Sequence, residues 1–460
     1  MVSPTGTRAR STPGPGASPP AGTGRNPSLR GRRTPLRAPA GAVTPRLMSR
    51  SGHPGSSQLQ QLILIEAAAA LLLAARAVGA PAPVPAAAVA AVLVLLAVVR
   101  RRGRPLPERL VAARALRART RRAADVVLPP GTPAAFAPAV ECDPALRTYG
   151  FGDRDQRPIG MLGDGGFLTV VLQVEPDGTA PRAERGGRPL PLSLVRDALA
   201  VDGIRLESAQ ILLHTRPAPA PRLPRQSLAV IDSAPPYAPP NPPAIRATWI
   251  ALKLDPALCP EAVAARGGGL RGAQKCVARA GLHLASRLTA AGLRATVLTE
   301  EELADAVATA ACAEPPVTAL TGGATTGPSS PPVAGADAPR RTEESVHSWR
   351  RGHHRHTTYW VRRWPRIDAA AHGGGLPHLV ARLTAVPALA ASFSLTVTPG
   401  GARESAVSGH LRVTGRDEAE LASARRALEQ VARETGTVLR ALDHEQLPGM
   451  LATLPLGGAR

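Results

Sequence analysis

The chain has 460 residues and a formal net charge of +22, and aromatics make up only 2% of it. That length allows two or three domains, or one large domain with tails, and its core must be built mainly from Ala, Val and Leu. Four cysteines (Cys142, Cys259, Cys276, Cys312) stand without a C-x-x-C pair, which argues against both a disulfide scaffold and a zinc ribbon. The charge is uneven. Residues 1–60 carry nine Arg and no acid, and residues 100–122 carry ten Arg against Glu108. These two flanks account for +18 of the +22, so residues 123–460 hold only +4. A nucleic-acid-binding domain places its excess on the folded part; no nucleic-acid partner is expected here.

In chain order, residues 1–57 are rich in Pro, Gly, Ser and Arg without hydrophobic period, and read as a disordered basic cytoplasmic tail. Residues 58–100 hold two apolar runs, about 59–78 and 83–99, broken by Gly79–Pro83. Each run is near the length that crosses about 30 Å of hydrocarbon, the second slightly short. Glu66 opposes insertion of the first run, but it lies toward one end, where its cost falls. The reading is a transmembrane hairpin. Arg46 and Arg50 precede it, and Arg100, Arg101, Arg102 and Arg104 follow it. These flanks put both termini in the cytoplasm of a multi-pass protein of the bacterial inner (plasma) membrane.

Residues 101–130 read as a basic juxtamembrane segment, and 131–460 as a mixed α+β (α/β) cytoplasmic domain. The strand signals include a hairpin around Asp164–Gly165, then 247–254, 294–298, 356–364, 393–397, 409–413 and 438–442. Helices are expected at 191–200, within 260–291, and at 301–311, 376–386 and 417–435. Pro-rich and Gly-rich stretches at 216–244 and 313–339 read as flexible linkers. Strand–strand–helix–strand recurs near 157–215 and 392–442, as an internal repeat would.

Three constellations invite chemistry. Gly267, Gly268, Gly269 and Arg271 offer a Gly-rich helix start that attracts anions, but the stretch lacks the P-loop pattern; a bend in the helix competes with an anion site. His353, His354 and His356 fall short of a zinc ligand set and sit among Arg350, Arg351 and Arg355; no metal and no cofactor is expected. In the strand through residue 360, alternation puts Trp360 and Trp364 on one side and Tyr359 and Val361 on the other. With Trp249, these are candidate core or partner-contact anchors. No nucleophile elbow, triad or paired-carboxylate pattern stands out, so the chain reads as non-enzymatic.

A basic tail, two close membrane helices and a large cytoplasmic domain succeed one another here. That order, with the stretches 163–175, 188–210, 248–276, 340–350, 355–365 and 442–458, resembles EccE, a membrane component of actinobacterial type VII (ESX) secretion systems, most closely its longer streptomycete-like members. The resemblance implies a structural assembly subunit of an inner-membrane complex. Its neighbours would be EccB-, EccC- and EccD-type subunits, with ATP hydrolysis belonging to EccC. The family's cytoplasmic domain has been likened to glycosyltransferase folds. The alternative expectation is therefore a membrane-tethered, glycosyltransferase-like or nucleotide-binding enzyme using the Gly267–Arg271 region.

Overall fold

The computed structural model describes residues 56–78, 83–98, 100–101, 104–124, 128–129, 132–153, 155–176, 190–217, 244–313, 342–365, 375–400 and 405–458. The expected tail at 1–57 falls almost wholly outside these residues, and so do the interiors of both expected linkers and Arg46, Arg50 and Arg102.

Helices α1 (Ser56–Val78) and α2 (Pro83–Val98) pack against each other. Ala68 and Ala90 are buried, small enough to let two helices approach closely. The large side chains Ile63, Ile65, Leu72, Leu73, Val89, Val92 and Val94 face outward. Among the described residues no helix is long and apolar enough to cross a membrane, so the expected transmembrane anchor has no support from helix length. Sixteen residues of α2 extend only about 24 Å, short of a hydrocarbon core of about 30 Å. The 23 residues of α1 are long enough, but Glu66 and Arg76 interrupt them. A ladder of two short strands, β1 (Arg100–Arg101) and β2 (Arg104–Pro105), then turns the chain into α3 (Leu106–Ala124). The stretch read as a juxtamembrane segment is thus largely helical.

After α4 (Ala137–Cys142) the chain builds one antiparallel sheet of twelve strands. Its members are β3 (Arg147–Gly152), β4 (Pro158–Gly163), β5 (Leu168–Pro176), β8 (Ser208–Pro217), β9 (Ala244–Leu254), β10 (Leu293–Val297), β11 (Thr342–Glu344), β12 (Trp349–Arg351), β13 (His354–Arg363), β14 (Ala390–Pro399), β15 (Ser405–Gly415) and β16 (Val438–Ala441). A separate ribbon, β6 (Ala200–Val201) with β7 (Ile204–Arg205), lies between β5 and β8 in sequence. The helices are α5 (Leu192–Asp197), α6 (Pro260–Ala264), α7 (Gly269–Ala290), α8 (Glu300–Ala310), α9 (Leu376–Thr384), α10 (Glu418–Glu434) and α11 (Gln446–Ala452).

The strand pairings reveal a duplicated unit. In the first, β5–α5–β8–β9–α7–β10 gives the spatial order β10·β5·β9·β8. In the second, β13–α9–β14–β15–α10–β16 gives β16·β13·β15·β14. Both run fourth–first–third–second, the split strand–helix–strand arrangement of a β-α-β-β-α-β unit. They join edge to edge through antiparallel β8 and β14, with Leu213 opposite Phe393 and Leu212 opposite Ser394. The repeat expected at 157–215 and 392–442 is therefore real in kind but differently phased. Its units open on β5 and β13, and β4 and α8 stand outside the first one.

The helices of both units cover one face of the sheet. There α5 and α7 pack on Val170, Leu172, Ile250 and Leu252, while α9 and α10 pack on Tyr359, Phe393, Leu411 and Val413. The opposite face is closed by α4, α8, α11 and the C-terminal residues, which surround Val171, Leu212, Trp249 and Trp349. Local chemistry sets the boundaries. Thr299 and Glu302 form a reciprocal capping box at the start of α8. Asp417 caps α10 by accepting from the Glu420 N–H at 2.8 Å. Asp164 accepts from the backbone of Gly166 and Phe167 in the β4–β5 turn.

Candidate functional site

The four aromatic anchors do not share one surface. Trp249 is buried on the face opposite the long helices, its ring 6.3 Å from that of His214. Tyr359 is buried under α10, where its hydroxyl accepts from Arg425 Nε at 3.2 Å. Burial pushes the Tyr359 phenol up, against the pull of the Arg425 charge. Trp364 packs edge-on against Phe393 at 6.2 Å, on the Tyr359 side. Plain alternation would put it with Trp360. A register shift in the β13–β16 pairing between Val361 and Arg363 adds a residue and reverses the facing of the residues beyond it. Gly409 makes room for the indole: a Cβ there would lie 2.6 Å from Trp364 Cζ2. Gly409→Ala is expected to cost about 2 kcal/mol by overpacking, read as a lower urea midpoint. An unchanged midpoint would show that Trp364 can shift aside.

Trp360, half-buried, marks a junction with the N-terminal part of the chain. The Arg440 guanidinium lies 6.0 Å from its ring and 3.9 Å from Glu108 of α3. Eleven residues along α3, Arg119 donates twice to the Glu344 carboxylate at 2.9 Å and also to the His444 carbonyl. Glu344 in turn accepts from the Leu447 N–H at 2.9 Å, at the start of α11. Two charge clusters thus hold α3 against the sheet domain, and the bidentate Arg119–Glu344 pair fixes its orientation. Beside the second lies a cavity of about 500 Å³ lined by Arg119, Arg122, Glu141, Asp143, Glu343 and Glu344.

The glycines have a structural role. Gly267, Gly268 and Gly269 adopt φ of 107°, 68° and 53°, the left-handed region where a side chain is strained. They break what reads as one helix into α6 and α7. Gly272 then lets the two pack, since a Cβ there would lie 2.4 Å from the Val263 carbonyl. Arg271 is exposed on the first turn of α7.

Sequence reading gave no sign of a polar layer beneath α8 and α11. Arg412, fully buried on β15, donates to the Ala310 carbonyl at the end of α8, to Met450 Sδ, and to Ser392 Oγ at 3.1 Å. Burial lowers its pKa to about 10, so it remains charged at neutral pH. A cation is favoured at a helix C-terminus, where carbonyls lack partners. Ser392 lies opposite both Arg412 and His214, and His214 Nδ1 meets Ser392 Oγ at 2.9 Å. His356 meets Thr414 Oγ1 at 2.9 Å, and its ring lies tilted against that of Trp349, 5.0 Å away. The alternation of "HLRVTG" around Arg412 was the available signal. It showed Leu411 and Val413 facing a core, but not that a second layer covers the other side. Among the described residues no group of three or more His, Cys, Asp or Glu side chains could hold a metal. All four cysteines are buried and reduced, and burial pushes the Cys276 thiol up.

The described residues thus combine a duplicated sheet, a clamped helix after an apolar hairpin, and buried polar groups engaged in packing. A family model, "Putative type VII ESX secretion system translocon, EccE", matches residues 242–361, from just before β9 to near the end of β13. This match supports a component of a type VII secretion system. Within that class, the matched residues support the EccE resemblance that the sequence carried. Among curated proteins no match is found.

Proposed function

We propose that the chain is a non-enzymatic assembly subunit of the membrane complex of a type VII secretion system. The α1–α2 hairpin would lie in the bilayer of the bacterial plasma membrane, with the sheet domain on the cytoplasmic side. The match to the EccE family over residues 242–361 carries this reading. The hairpin supports the membrane part: its large apolar side chains point away from the protein, as lipid contact requires. A helix as short as α2 is accommodated by local bilayer thinning and by flanking arginines that reach the headgroups. EccB-, EccC- and EccD-type subunits are the proposed neighbours, and Trp249, Tyr359 and Trp364 serve as core anchors rather than contacts. Purification of the tagged full chain in mild detergent should bring down the partner subunits in fixed ratio, and carbonate washing should leave the chain with membranes. A lone chain beside an intact complex would overturn the assembly role, and release by carbonate would overturn the anchor. The rival, a nucleotide-using enzyme, rests on the start of α7; specific nucleotide binding abolished by Arg271→Ala would favour it.

A further inference from the structure

The two sides of α3 differ. Ala112, Leu116 and the clamp residues Glu108 and Arg119 face the domain. On the other side, at helical spacing, lie Leu110, Val111, Arg114, Arg117 and Arg121, all exposed. Leu110 and Val111 are 53% and 59% exposed, large values for apolar side chains with no function. At 100° per residue these five fall within one stripe about 120° wide. None of these three arginines makes an ion pair among the described residues, whereas Arg119, on the docked side, is held by Glu344.

We infer that this stripe of α3 is a docking surface for anionic phospholipid, resting on the reading that α1–α2 lies in the bilayer. Chain geometry favours lipid over a protein partner. The last residue of α2 is Val98 and α3 begins at Leu106, joined by the tight β1–β2 ladder, so α3 starts next to the end of α2. The two exposed apolar side chains sit at that hairpin-proximal end, and the arginines continue outward from it. An amphipathic helix with this division lies in the interface plane, apolar groups among the acyl chains and cations among the headgroups. Each arginine near an anionic surface strengthens binding about five-fold. Because Arg119 and Glu108 fasten the other side, the membrane would set the orientation of the whole sheet domain.

The test uses the full chain in lipid discs, with Ala118→Cys on the stripe carrying a fluorophore; the native cysteines are buried and do not compete. Brominated lipid should quench the label strongly in discs containing phosphatidylglycerol and weakly in pure phosphatidylcholine. Combining Arg114→Gln, Arg117→Gln and Arg121→Gln should reduce quenching to the phosphatidylcholine level without changing thermal unfolding. Equal quenching in both lipids, or none in either, would overturn the inference and leave the stripe to an acidic protein partner. Failure of the chain to enter discs at all would overturn the membrane reading together with it.

Discussion

Removal of Gln446–Arg460 is expected to abolish cooperative unfolding of the sheet domain. This segment closes the face opposite the long helices. Leu447, Met450, Leu454 and Leu456 are each at most 9% exposed. Burying a Leu or Met side chain contributes about 1.5–3 kcal/mol. Four of them are therefore worth about 6–12 kcal/mol, comparable to the whole stability of a typical domain. The polar side compounds the loss. Thr169 Oγ1 donates to the Leu456 carbonyl at 3.0 Å, and Ser208 Oγ to that of Gly457 at 2.6 Å. Gln210 both donates to the Ala452 carbonyl and accepts from the Gly457 N–H, at 2.9 and 2.8 Å. Gln446 Oε1 accepts from the Thr358 N–H at 2.9 Å. Without the segment these groups, and Arg412, would sit in a wetted apolar seam. Circular dichroism during urea titration should show a broad, low-amplitude change in place of a sigmoid. The milder Leu454→Ala should keep the sigmoid and lower stability by about 2–5 kcal/mol. A truncated chain that unfolds with the midpoint of the intact one would show that the segment contributes nothing to the core.

The same segment shows what a sequence makes legible. "LDHEQLPGMLATLPLGG" carried family resemblance, yet its residues alone gave no element. Helix α11 is seven residues with Pro448 inside it, and the chain after it is irregular. Its order comes from the sheet beneath it, a tertiary cause invisible to local pattern. The long helices α7 and α10 were legible from their apolar spacing and the glycines that follow them, and α10 also from Asp417 at its start. The duplication was half legible. Element types recur in sequence, but which strand opens each unit depends on pairing: β5 finds β9 and β10, and β13 finds β15 and β16. The facing of Trp364 failed for a related reason, since one bulge reverses alternation and no residue in "WVRRW" announces it. For the candidate site, the aromatic residues were visible and their surroundings were not. Arg119 and Glu344 are 225 residues apart, and among 56 Lys and Arg nothing marks the one that clamps.

The second large effect is acid lability. His214 and His410 are buried, and burial lowers their pKa values to about 3 and about 4; the charges of Arg412 and Arg216 add to the lowering at His214. His356 is lowered well below its ordinary value, first by burial, then by Arg412, His354 and Arg351. The groups facing them offer no carboxylate that would welcome a proton: Ser392 and the Trp249 ring at His214, Thr414 and the Trp349 ring at His356, and cross-strand Ser394 and Trp360 at His410. In the unfolded chain all three titrate near 6.5. Their neutral folded forms therefore bind fewer protons than the unfolded chain once pH drops below that value. Stability is complete above about 6.5 and is lost progressively as pH falls toward 4. His214 and His410 each lose about 1.4 kcal/mol per pH unit in this window, about 3 together, and His356 adds to the loss in the same direction. Urea unfolding of the full chain at pH 7.5 and at pH 5.5 should differ by about that amount. His214→Asn combined with His410→Asn should remove most of the difference while lowering the pH 7.5 value. Equal stability at the two pH values would mean that water or a rearranged Arg412 reaches these rings and lets them charge in place.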